Sequence, residues 1–217
     1  MEKKTNEYKY QKHSEKQYMF ILSVAEQLFV EQGIEKVKLS DIANACGIMR
    51  STFYRYFENK DEILWHIMRR NTIAFSQKLK ERFQATNGTT FERFKTLCDI
   101  LCEDFIEDTN TYLFIDLFND TYQNATSYKD NFLYDKVYKA DDFQTGDMVR
   151  FLTENFHDGS VKADLAPKTT AVALTYSAFI LVAGMSRQIH TLPIKYEVDP
   201  IDVIRMSLYA LLENIKA

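Results

Sequence analysis

The chain has 217 residues, of which 46% are hydrophobic, enough to bury a core and too apolar a composition for a disordered tail. Its formal charge of −4 is unevenly spread: residues 1–60 carry ten Lys and Arg against eight Asp and Glu, and residues 61–217 carry seventeen against twenty-three. The start, MEKKTNEYKYQKH, is too polar for a signal peptide, and the most apolar stretch, Ala171 to Met185, is too short and too interrupted by Thr175, Tyr176 and Ser177 to span a bilayer.

Six Gly and three Pro are few, and every proline lies beyond residue 166, so long uninterrupted helices are expected. The three cysteines cannot all pair. Cys98 and Cys102 stand one helical turn apart with no His nearby and read as small apolar fillers, which together fit a reducing cytoplasm. His13, His66, His157 and His190 show no ligand spacing, and neither a metal nor a cofactor is expected.

In chain order, Ser14-Glu15-Lys16-Gln17 has the form of a capping box, which predicts that the first helix begins at Ser14. Its apolar positions Ile21, Ala25, Leu28 and Phe29 keep a helical rhythm to a stop at Gly33. Lys3, Lys4, Lys9, Lys12 and Lys16 ahead of and at its start read as a solvated, partly disordered tail, or as an arm for a minor groove. Short helices are expected at Leu39 to Ala45 and Arg50 to Phe57, then a long fourth helix from Asn59, with Glu62 three residues later, to Phe83. Asn87-Gly88 opens a turn, and Thr89 with Glu92 forms a second capping box before a fifth helix that ends near Thr109.

The sixth helix is expected over Thr111 to Tyr122. The seventh runs from Tyr128 towards Phe156, with a break at Gly146, and Asp158-Gly159 closes it. An eighth follows Pro167. The last has Asp199 as N-cap, Pro200 at its first position and Asp202 in its first turn. No alternating strand pattern, repeat or low-complexity segment appears, so the fold class is all-α.

The sharpest signal is the run from Asp41 to Phe57. Two short helices crossing steeply need a small residue at their contact and a residue tolerant of positive φ in the turn, and Ala43 and Gly47 fill those roles. Ile42, Ile48 and Phe53 then seal the pair. Arg50, Ser51, Thr52, Tyr54 and Arg55 are left on or near the outer face of the second helix, rich in partners for phosphates and base edges.

At these residues the sequence resembles the TetR family of bacterial regulators, through Ala25, Phe29, Gly33, Asp41, Ile42, Ala43, Gly47, Tyr54, Tyr56, Phe57, Lys60 and Leu64. The resemblance covers about Ile21 to Trp65. It implies an N-terminal three-helix DNA-binding domain with a helix-turn-helix over residues 1–60, and a larger C-terminal helical domain over 61–217 for effector binding and dimerisation, about nine helices in all. Lys38, Ser40, Arg50, Ser51, Thr52, Tyr54, Arg55 and Lys60 are the expected DNA-binding residues. Tyr54 and Lys60 are phosphate contacts by resemblance, Arg55 is a DNA contact or an ordinary surface charge, and Tyr56 and Phe57 belong to the core. Two departures stand out: where the family usually has Thr and Ser as N-caps of the second and third helices, this chain has Lys38 and Met49, neither of which can accept a backbone N–H.

Effector sites of the family lie among helices 4 to 8, which makes Phe105, Phe118, Tyr122, Tyr138, Phe143, Tyr176 and Phe179 candidates for ligand binding. Asp116 and Asp120, one turn apart, either face a cationic ligand or lie on a solvated face. Ala173, Ser177, Ile180 and Gly184 form a partly small-residue stripe, and Ile204, Leu208, Leu211 and Ile215 form a second. They suggest a four-helix bundle from two subunits; the alternative is packing within one chain. The expected protein is therefore a cytoplasmic homodimeric regulator, by resemblance a repressor, that binds a pseudo-palindromic operator and responds to a small molecule. Control by a protein partner is the alternative. A helical enzyme has no support, since no nucleophile with its base, metal cluster or phosphate loop is seen.

Overall fold

A computed structural model of the chain describes the backbone of residues 2–84, 88–122 and 145–217 and the side chains of 14–83, 88–122 and 148–217. Among the described residues there are ten helices and no strand beyond a single isolated bridge, Val161 with Lys216. The helices are α1 (Glu2–Gln32), α2 (Leu39–Ala45), α3 (Arg50–Phe53), α4 (Lys60–Gln84), α5 (Thr90–Glu107), α6 (Thr109–Tyr122), α7 (Thr145–Thr153), α8 (Pro167–Ser186), α9 (Thr191–Tyr196) and α10 (Pro200–Ile215). They form two compact units. The first comprises Met1–Arg70 and a segment beginning at Leu117; the second comprises Asn71–Asp116 and the C-terminal residues to Ala217.

Within the first unit, α1 begins at Glu2 rather than at the expected Ser14. No Pro or Gly interrupts residues 2–14, so nothing stops the helix there, and Ser14 sits in its interior. Ile21, Leu22, Ala25 and Phe29 are buried, and Gly33, at φ +86°, ends the helix by donating its N–H to the Phe29 carbonyl at 2.9 Å. α3 is a single turn and stops four residues short of the expected Phe57. Beyond it, Arg55 and Tyr56 donate to carbonyls three residues back, a tighter winding that brings both Phe53 and Phe57 into the core. α4 starts where expected, because the Asn59 side chain accepts the Glu62 N–H at 2.8 Å. Its first turns bury Ile63, Leu64, Trp65 and Ile67.

In the second unit, α5, α7, α8 and α10 and the end of α4 enclose Leu79, Phe83, Phe94, Leu101, Leu152, Val182 and Leu208. The start of α5 shows how the chain satisfies the free N–H groups of a buried helix end. Thr89 and Glu92 make the expected reciprocal capping box. The Asp158 carboxylate, far along the chain, accepts the Thr90 N–H at 2.6 Å, and the Ser160 hydroxyl accepts that of Phe91 at 3.0 Å. Arg93, buried on α5, donates to the Phe151 carbonyl at 2.8 Å, so its charge faces the C-terminal end of α7, where helix carbonyls lack partners. Ion pairs of Lys78 with Asp104 and Arg82 with Glu103 link α4 to α5.

α7 is described from Thr145, next to the break expected at Gly146, and the expected start of that helix at Tyr128 lies outside the described residues. α9 has no counterpart in the sequence reading; Pro193 in its first turn allowed it, and Glu197 at φ +56° ends it. α10 opens as expected, with the Asp199 carboxylate accepting the Ile201 N–H at 3.0 Å. By length and composition α8 is apolar enough to cross a membrane, but Thr170, Ala171, Thr175, Ala178 and Val182 on one side of it are buried in the unit's own core.

Candidate nucleic-acid interface

The turn between α2 and α3 has the geometry its residues require. Gly47 adopts φ +64°, a left-handed conformation that a side chain would strain. The Ile48 N–H then reaches back to the Ala43 carbonyl at 3.1 Å, and Ile42, Ala43 and Phe53 are buried where the two helices meet. Phe57 stacks on Tyr18 of α1 with ring centroids 5.3 Å apart, which fixes the pair against the first helix.

The opposite face of α3 is open. Arg50, Ser51 and Arg55 are exposed, Tyr54 is half-exposed, and Thr52 is partly covered. Lys38 is exposed at the start of α2 and, as expected from its lack of an acceptor, makes no side-chain cap. Asp41 supplies the other half of a capping box by accepting the Lys38 N–H at 2.9 Å, and its second oxygen takes a hydrogen bond from the Ser40 hydroxyl. Met49 at the start of α3 makes no cap either.

Lys60 has a different place from the one expected. Its ammonium donates to the carbonyls of Ile34 at 2.7 Å, Val37 at 3.3 Å and Glu35 at 3.5 Å, bracing the connection between α1 and α2. A lysine spent on three carbonyls holds the surface in shape rather than reaching out from it. Sequence gave no sign of this, because the partners lie about 25 residues away and are backbone atoms.

The described candidate ligand residues are divided between the two units. Phe118 and Tyr122 belong to the first unit: the Phe118 ring meets Trp65 edge-on at 5.0 Å, and the Tyr122 hydroxyl donates to the Asp61 carboxylate at 2.9 Å. That hydrogen bond and burial both hold the Tyr122 hydroxyl protonated well above the usual tyrosine range, burial being the larger cause. Phe105 and Phe179 belong to the second unit, Phe105 packed in its core beside Tyr112 and Phe179 edge-on to Phe75 at 4.9 Å. Tyr176 is 67% exposed on the outer side of α8, so it lines no interior. Tyr138 and Phe143 lie outside the described residues. Asp116 is ion-paired with Arg187, and Asp120 is exposed.

The two dimer stripes also part company. Ala173, Ser177 and Ile180 are exposed on α8, Ile180 by 66%, and Gly184 is half-buried. Ile204, Leu208 and Ile215 are instead buried within their own chain, and Leu211 is half-buried, because α10 turns that face onto α5 and α8. Ile204, Leu208 and Ile215 are core residues, and Met206 is the most exposed large apolar residue of α10. Among the described residues no group of three His, Cys, Asp or Glu is placed to hold a metal ion. Burial raises the thiols of Cys98, to about 12, and Cys102, to about 11, far from the range of reactive cysteines.

Residues 21–67 match the family of bacterial regulatory proteins described as the tetR family. An HTH-type transcriptional regulator of Staphylococcus aureus (strain bovine RF122 / ET3-1) is 28% identical over 127 residues, covering 56% of this chain and 67% of its own. Among solved structures, the fatty acid degradation regulator FadR from Bacillus halodurans aligns with a TM-score of 0.68 at 18% identity, over 90% of this chain and 94% of its own. FadR from Bacillus subtilis, in complex with stearoyl-CoA, aligns at 0.67 and 20% identity, over 91% and 99%. The glycine-turned helix pair with its open outer face thus lies in a segment that matches the tetR family of bacterial regulatory proteins, and the chain shares the fold of the FadR regulators over most of its length.

Proposed function

We propose that the chain is a cytoplasmic repressor that binds a pseudo-palindromic operator as a homodimer and releases it when a small molecule occupies the C-terminal unit. The observation that carries this reading is the open face of α3, where Arg50, Ser51 and Tyr54 project beside the buried Ala43 and Phe53. Arg can pair bidentately with guanine, and Ser and Tyr hydroxyls serve phosphates. Lys38, Ser40, Thr52 and Arg55 extend the surface, and Lys60 keeps its shape.

A dimer is supported by the exposed Ala173, Ser177 and Ile180 of α8, with half-buried Gly184 in line with them, and Met206 of α10 replaces the buried stripe. Dimeric helix-turn-helix proteins set their recognition helices about 34 Å apart, so a ligand that favours another spacing weakens DNA binding by the factor of its preference. α4 is the natural carrier of such a change, since it supplies residues to both units. For the ligand, the stearoyl-CoA held by the Bacillus subtilis relative supports an acyl-CoA as first probe.

The test is a titration of the full-length chain, bound to a duplex selected from a randomised pool, with stearoyl-CoA and shorter acyl-CoAs. A true effector changes Trp65 fluorescence and DNA affinity over one concentration range. An acyl-CoA that binds and leaves DNA affinity unchanged would defeat the switch and favour control by a protein partner.

A further inference from the structure

Met49 breaks a local rule and gains nothing inside the chain for it. It is the N-cap of α3, where Ser, Thr, Asp or Asn would accept a first-turn N–H, and its thioether makes no such bond. It is also 77% exposed, so its apolar side chain is not used in the core either. Residues that violate local stability rules without compensation in the fold concentrate where function requires them.

Its position says what kind of function. In helix-turn-helix proteins the first residues of the second helix approach base edges, while donors around them position the phosphates. Lys38, Arg50, Ser51 and Tyr54 are the donors here. Methionine has no donor to offer a phosphate. The one apolar group that a base pair presents in the major groove is the C5 methyl of thymine, and an unbranched, flexible thioether can settle against it from a range of approaches.

We propose that Met49 reads a thymine methyl group in each operator half-site. The inference rests on the DNA-binding reading above and adds a specificity residue to it. A burial of one methyl group corresponds to about fourfold in affinity.

The experiment uses the full-length wild type and Met49→Ser with a duplex that the wild type selects from a randomised pool. Each thymine is replaced in turn by deoxyuridine, which differs only by the methyl. The expected result is one position per half-site where the replacement weakens the wild type about fourfold, and about fifteenfold when both half-sites carry it. Met49→Ser should bind the thymine and uracil duplexes equally, while Arg50→Ala keeps the uracil penalty. Comparing ratios removes any overall gain or loss from the serine, and a melting curve confirms that the variant is folded. If the wild type selects a sequence but tolerates uracil at every thymine, or if Met49→Ser keeps the full penalty, Met49 does not read the methyl. A wild type that binds no duplex at all would instead overturn the helix-turn-helix reading itself.

Discussion

The ammonium of Lys60, the first residue of α4, sits 2.7 Å from the carbonyl oxygen of Ile34 and 3.3 Å from that of Val37, tying the start of one helix to the segment between two others. Removing it strands carbonyls in a partly buried turn, so Lys60→Ala should cost about 1 to 3 kcal/mol of stability. It should weaken DNA binding through misplaced α2 and α3. The slope of log affinity against log salt should nevertheless match the wild type, because a lysine bound to carbonyls displaces no counterion from DNA. A slope lower by about one would put the ammonium on a phosphate in the complex.

Arg50 is exposed at the first helical position of α3, and Arg50→Ala should cost about 1 to 3 kcal/mol on the selected duplex while binding to random duplexes falls far less. Fluorescence anisotropy on both duplexes at one salt concentration separates the two. Equal losses would make Arg50 a phosphate contact.

These two residues show what the sequence made legible and what it did not. The helix-turn-helix was readable because its requirements are local: a small residue at Ala43, a left-handed turn at Gly47 and apolar positions at Ile42 and Phe53 lie within about a dozen residues. The start of α10 was readable for the same reason, with Asp199 and Pro200 adjacent. What failed was non-local. Lys60 reads as a phosphate contact by resemblance, and its carbonyl partners leave no trace in composition. Ile204 and Leu208 gave the same periodicity that an interface would give, since a helical stripe records that a face is buried and not by which chain. Ser14 offered a good cap, but a cap residue does not stop a helix that has nothing to break it upstream.

Gly184 gives a clean test of the dimer face. A Cβ built there meets nothing within 4 Å in its own chain, so Gly184→Leu should leave the monomer intact and, by removing glycine from a helix, slightly favour α8. Against a second subunit the added volume should cost about 1 to 3 kcal/mol. Sedimentation over a dilution series should show a shift towards monomer, with operator binding lost in parallel. A variant that stays dimeric would move the interface off this face.

Asp158 should make stability depend on acidity. Burial is the largest single influence and opposes its ionisation, but hydrogen bonds from the Ser160 hydroxyl and from the Thr90 and Ser160 N–H groups together outweigh it and bring the carboxyl down to about 2. A folded value below the unfolded one stabilises the fold above the unfolded pKa of about 4, and that contribution is lost as the pH falls from about 4 towards 2. Exposure to solvent limits it to about 1 kcal/mol. Asp158→Asn should lower the melting temperature at pH 7 and bring wild type and variant together near pH 2. A gap of the same size at both pH values would place the effect in packing rather than charge.

Trp65 rests edge-on against Phe118, and both belong to the first compact unit although α5 and most of α6 lie between them in the chain. The ribosome therefore delivers this unit in two instalments. A nascent chain that has emerged only to Arg70 has the whole helix-turn-helix but not the ring that covers Trp65, and it must wait some fifty residues for it. A fragment cut at Arg70 would lack that ring permanently, so the first unit is completed by residues synthesised after its helix-turn-helix, and premature termination before α6 leaves that helix pair on an unfinished scaffold.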